Sequence, residues 1–99
     1  MKRIVRMHFR TEAIDHFLAL FREYEQDIRT FEGCLHMELL RDTSHSNIFF
    51  TWSWWESEKH LNAYRKSALF GTVWPQTKAL FAEPAEAWSL EEITQSKAQ

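Results

Sequence analysis

Residues 48–70 read IFFTWSWWESEKHLNAYRKSALF, and a change of rhythm inside this stretch decides the fold. Its first part, Ile48–Trp55, is dense in aromatic and β-forming residues and reads as a strand. Glu56, Ser57 and Glu58 break the run, and beyond them Leu61, Tyr64 and Ala68 recur at helical spacing. The strand holds Trp52, Trp54 and Trp55, more apolar bulk than one face of a small sheet needs, so it is expected to be covered on both sides. Because both of its faces are apolar, a slip of one residue would exchange them.

Upstream, Cys34–Arg41 alternates Leu35, Met37 and Leu39 with Cys34, His36 and Glu38, and the polar residues 42–47 form a turn, so this segment and Ile48–Trp55 make a hairpin. Residues 4–9 alternate Val5, Met7 and Phe9 with Ile4, Arg6 and His8, which gives a first strand. Between these strands Ile14, Phe17, Leu18, Phe21, Ile28 and Phe31 follow helical periodicity, with Thr11 as the expected N-cap and Gly33 placed to end the helix.

Downstream, Ser57 is expected to cap a short helix, with Glu56 and Glu58 beside its positive end. A further helix is predicted with Thr72 as N-cap, Pro75 in its first turn and Val73, Trp74, Thr77, Leu80 and Phe81 inward. Pro84 is expected to close it, residues 85–93 to form the last strand, and residues 94–99 to be a flexible polar tail on a single domain of residues 1–93.

Strand, helix, two strands, a helix pair and a strand, joined by right-handed crossovers, give a ferredoxin-like split βαβ sandwich of the α+β class. Its antiparallel four-stranded sheet carries the helices on one face. Val5, Met7, Phe9, Leu35, Met37 and Leu39 are predicted to meet the helices, leaving Ile4, Leu40, Phe50, Trp52 and Trp54 on the other side. Such a face would be a large apolar patch, so a homodimer through the sheet faces is predicted.

The totals agree with an assembled small domain. In 99 residues, 44% are hydrophobic and 15% aromatic, with five Trp and eight Phe that one thin core cannot hide. Net charge is −2 and the Lys and Arg residues are scattered, which argues against nucleic-acid binding. No apolar run approaches the ~18 residues of a membrane span, and Met1, Lys2 and Arg3 do not begin a signal peptide. A single cysteine, Cys34, makes the cytoplasm the expected compartment.

Gly33 and Gly71 are the only glycines and lie far apart, so no glycine-rich phosphate loop exists, although a flavin held otherwise remains open. His36 with Glu38, and Arg6 with His8, share strand faces without the third ligand a metal needs, and no metal site is expected. His16 and His60 are read as solvated, and Cys34 as a small core residue rather than a nucleophile.

Trp55, Glu56, Ser57 and Glu58, then Leu61, Tyr64, Ser67, Phe70, Trp74, Pro75, Leu80 and Phe81, together resemble the antibiotic biosynthesis monooxygenase-like family of dimeric α+β barrel proteins. The likeness runs from the first strand to Trp88. It implies a dimer, a cavity between sheet and helices, and, as in several members, oxygenation of phenols or quinols with molecular oxygen and without metal or flavin. Two positions depart from the family pattern. Ser53 stands where members commonly have Glu, and Tyr64 where they have His. The superfamily's haem-degrading branch uses an Asn, a Trp and a His at positions matching Val5, Tyr64 and Trp74, none of which agrees, so haem is disfavoured.

Tyr64 and Trp74 are the residues expected to line a pocket, above a strand whose helix-facing positions include the small Thr51 and Ser53. The alternative reading is that both aromatics simply fill the core. If the chain is an enzyme, the resemblance implies a cofactor-independent monooxygenase of a small phenolic, quinol or polyketide-like aromatic. Tyr64 would hydrogen-bond the phenolate as the catalytic residue, Thr51 and Ser53 would position it, and Trp55 and Trp74 would pack its ring. The competing expectation is a non-catalytic small-molecule binder or a stress-related dimeric module.

Overall fold

The computed structural model describes residues 1–96, and in it the chain runs β1 (Lys2–Phe9), α1 (Ile14–Arg29), β2 (Cys34–Arg41), β3 (Ile48–Trp55), α2 (Glu58–Arg65), α3 (Ala68–Lys78) and β4 (Phe81–Leu90). The strands form one antiparallel sheet in the order β2-β3-β1-β4, the split arrangement in which β1 and β2 flank β3. Register puts Val5 between Thr51 and Ala87, and Arg3 between Ser53 and Ser89, on the face that meets the helices. Phe50, Trp52 and Trp54 point the other way, beside Ile4 and Leu40.

The core gathers under α1. Phe9 is fully buried, stacks on Phe17 at 4.0 Å between ring centres and meets Phe49 edge-on at 5.8 Å. Met7, Phe21, Ile28 and Met37 extend this cluster, so the alternation of the strands and the helical spacing of α1 converge on one layer.

Several sequence expectations are corrected. Thr11 does not cap α1: a 3-10 turn, Thr11–Ala13, precedes the helix, and no side chain caps either element. The helix ends at Arg29, before Phe31, while Gly33 takes the left-handed φ of 86° that favours glycine. A Cβ on Gly33 would also collide with His60, whose ring covers it, so His60 is packed rather than solvated, with Nδ1 2.7 Å from Ser57 Oγ.

A register shift between Cys34 and His36 turns Cys34 toward the helices and leaves Leu35, expected inside, 63% exposed. Pro75 lies in the middle of α3, not in its first turn, and the helix is capped by Ser67 rather than Thr72. The proline removes the bond to the carbonyl of Gly71, but Gly71 is exposed and open to water, so the loss is tolerated. Thr72 instead donates to the Ala68 carbonyl at 3.0 Å.

Pro84 does not close a helix; it sits within β4, which begins at Phe81 and ends at Leu90 rather than spanning residues 85–93. The position is physically apt. β4 is an edge strand, and its pairing with β1 shifts register between Arg6 and His8, where a missing N–H costs little. Of the expected tail, residues 97–99 lie outside the described residues.

Candidate functional site

A cavity of about 200 Å³ lies between the sheet and the helices, and it exists because of what β3 places on its inward face. Phe49 and Trp55 are large and buried, but between them stand Thr51 and Ser53. Small side chains under a helix layer leave space that backbone spacing cannot close. The roof is built by α2 and α3, whose aromatics hold one another at fixed distances instead of dropping into the gap. Trp55 stacks on Tyr64 at 5.2 Å, Phe70 meets Tyr64 edge-on at 5.3 Å, and Phe70 stacks on Trp74 at 5.7 Å.

One serine fixes the angle of that roof. Ser67 Oγ donates to the Tyr64 carbonyl at 2.6 Å and accepts from the Phe70 N–H at 3.2 Å, so a single hydroxyl ties the end of α2 to the start of α3. Ser57 caps α2 similarly, accepting from the His60 N–H at 3.3 Å. These two caps orient Tyr64 and Trp74 toward the same space.

Thr51, Ser53, Trp55, Tyr64 and Trp74 all lie on the wall of this one cavity. Ser53 accepts from the Trp55 indole N–H at 2.9 Å, which leaves its own hydroxyl proton free to donate inward. The hydroxyl of Tyr64 has no hydrogen-bond partner among the described residues. Burial, with a smaller contribution from Cys34, pushes this phenol from its ordinary 10.0 up to about 12. A phenol that reluctant to ionise is a hydrogen-bond donor at neutral pH and cannot act as a general base. Cys34 is also held in its neutral form, its thiol pushed up chiefly by burial while Sγ lies 3.7 Å from the His36 carbonyl oxygen.

Sequence reasoning missed Arg3 and Arg65, which line the cavity as well. The signal was present in the spacing. Arg3 continues the two-residue step of Val5, Met7 and Phe9, and Arg65 lies four residues after the inward-facing Leu61. Arg3 Nη1 donates to Ser89 Oγ at 2.9 Å, and burial followed by the nearby Arg65 charge lowers its proton affinity. Among the described residues, no His, Asp or Glu lines the cavity. Among the described residues no three His, Cys, Asp or Glu side chains gather as a metal site would require, and no helix is long and apolar enough to cross a membrane.

The family model for antibiotic biosynthesis monooxygenase matches residues 1–74. Among solved structures, an antibiotic biosynthesis monooxygenase superposes with a TM-score of 0.88 at 22% identity, covering 94% of this chain and 98% of its own. A protein from Mycobacterium tuberculosis superposes with a TM-score of 0.87 at 19% identity, covering 97% of each chain. A conserved protein from Methanosarcina mazei Go1 gives 0.82 at 18% identity, covering 87% of this chain and 86% of that one. No curated protein is significantly similar in sequence.

Proposed function

Since the chain belongs to the antibiotic biosynthesis monooxygenase family, we propose that its cavity holds a small electron-rich aromatic and lets that molecule react directly with O₂. The observation that carries this reading is the hollow itself, an aromatic-roofed space with isolated hydroxyl groups in its wall. Its volume of about 200 Å³ suits one substituted ring or two fused rings. A haem would not fit such a space, and no histidine of the wall could ligate its iron.

The reaction needs no resident redox centre. A phenolate or quinol anion passes one electron to O₂, the two radicals join at a ring carbon, and loss of water leaves a quinone. One oxygen atom is then in the product and the other in water, with both hydrogens of that water taken from the substrate. The protein would supply a dry space, an orientation and stabilisation of the anion. Tyr64 would donate to the substrate oxygen, Ser53 and Thr51 would position it, and Trp55 and Trp74 would hold the ring. Because no base among the described residues lines the wall, the substrate would have to lose its proton to water or arrive ionised.

The same absence of a base favours, as a second reading, a binding module that performs no chemistry. In either case the reading includes a homodimer, since Trp54, Trp88 and Leu90 lie 39–44% exposed on the face of the sheet away from the helices. It takes the cytoplasm as the compartment, where the single cysteine stays reduced.

Incubation with a panel of one- and two-ring hydroquinones, with and without ¹⁸O₂, tests the proposal by mass spectrometry. An added ¹⁸O that requires protein supports the oxygenase. Ligand-dependent stabilisation without any oxygenated product leaves only the binding module.

A further inference from the structure

The mouth of the cavity carries a charge arrangement that aromatic binding alone does not require. Among the wall residues, Arg65 and Ala87 are exposed, and Arg3 is paired between Ser53 and Ser89 beside them. The opening therefore lies between the C-terminal end of α2 and β4, with both guanidinium groups at its edge. Lys2, Arg6, Arg10 and Arg29 each have a carboxylate within 4 Å. Among the described residues Arg3 and Arg65 have none, as is true of Arg22, Arg41, Lys59, Lys66 and Lys78, but of these only Arg3 and Arg65 lie on the cavity wall.

A half-buried guanidinium beside a second one is unfavourable unless something negative joins them. Arg3 gives one N–H to Ser89 and keeps the rest of its donors, and the planar forks of both residues suit the two oxygens of a carboxylate. The chain as a whole is acidic, with a net charge of −2, so this positive mouth is a local feature and not the fringe of a basic protein.

We infer that the cavity selects aromatic molecules bearing an anionic oxygen group, a carboxylate or an acidic phenol. The ring enters the hollow and the anion is held between Arg3 and Arg65. This rests on the reading of the cavity as an aromatic site and adds the charge of what it takes. It also supplies what the wall lacks. With no base available, two cations beside a bound phenol favour its ionised form.

Calorimetric titration with 2-naphthoate and 2-naphthalenemethanol, which share a ring system and differ in charge, tests the inference. The naphthoate is expected to bind about tenfold tighter or better, as charge-assisted hydrogen bonds require. Arg65→Gln and Arg3→Gln should each remove most of that advantage while leaving the alcohol within about twofold of its original affinity. Arg65→Lys should retain part of it. Arg65 is exposed, so its variants keep the fold even if Arg3→Gln does not. Equal binding of the two probes would overturn the anion site while leaving the aromatic cavity standing. So would a preference for naphthoate that survives both glutamine substitutions. Failure of both probes to bind would overturn the aromatic reading and this inference together.

Discussion

At the C-terminal end of β1, Phe9 lies against Phe17 at 4.0 Å and edge-on to Phe49 at 5.8 Å. Toward its N-terminal end, Val5 and Arg3 stand beside Thr51 and Ser53, and the space above them is open. The same sheet face, under one continuous helix layer, is close-packed at one end and hollow at the other. What changes is the partner on β3, from Phe49 to a threonine and a serine, and the roof, from α1 to the braced aromatics of α2 and α3. A core ordinarily collapses until such space is gone. Here the stacking of Trp55 on Tyr64 and the Ser67 bridge prevent it, so the hollow is held open by specific contacts.

The contrast can be broken at either end, and the expected effects on stability descend in order. Phe9→Ala removes a fully buried ring from the solid end and should cost about 3–5 kcal/mol in a denaturant titration. A loss below about 1 kcal/mol would mean that this end is as loosely filled as the other.

Raising the pH probes the hollow end. The folded Tyr64 phenol sits at about 12 against an ordinary 10.0, so between those values the native state holds a proton that the unfolded chain has released. Tyr64 therefore contributes no pH dependence below about pH 10 and a progressive loss of stability from there to about pH 12, by up to about 1.4 kcal/mol per unit. Ultraviolet titration of Tyr24→Phe, in which Tyr64 is the remaining tyrosine, should place its phenolate transition near 12. A transition near 10 would show that the roof is open to water.

Thr51→Leu inserts volume where the hollow lies. Stability should move by about 1 kcal/mol or less, because the space is already there. Aromatic binding should disappear, as calorimetry with 2-naphthoate would record. Tyr64→Phe should change stability least, since the hydroxyl has no partner among the described residues and the stacking ring remains. If the oxygenase reading holds, turnover should nonetheless fall by about tenfold or more, the worth of a hydrogen bond to a charged oxygen. Unchanged turnover would remove Tyr64 from the chemistry.

The packed end was the more legible of the two in the sequence, because periodicity reports burial directly. Met7 and Phe9 follow the two-residue step of a strand, Phe17 and Phe21 repeat at helical spacing, and each lies where that pattern puts it. Where the chain departs from regular pairing the pattern misleads. The irregularity at Cys34 turns Leu35 outward, and local sequence carries no mark of it, since Cys34 and Leu35 are both apolar. Pro75 is expected in a first turn and Pro84 at a helix end because proline is disfavoured in a helix interior. An exposed Gly71 one turn earlier and an edge-strand register shift accommodated them.

At the hollow end, the small residues and the aromatic roof could be read from spacing, and the structure gathers them around one cavity. The arginines could not be recognised as easily. An arginine at a strand start or a helix end normally reaches water, and only the three-dimensional arrangement shows two of them at one opening without a carboxylate.

The claim on which everything else depends is that the space above Thr51 and Ser53 is a seat for an aromatic ring. A crystal structure of the protein grown with 2-naphthoate examines it most directly. The ring is expected beneath Tyr64 and Trp74, with its carboxylate turned toward Arg3 and Arg65. A hollow closed by its own side chains, or naphthoate seated only on the opposite face of the sheet, would contradict it.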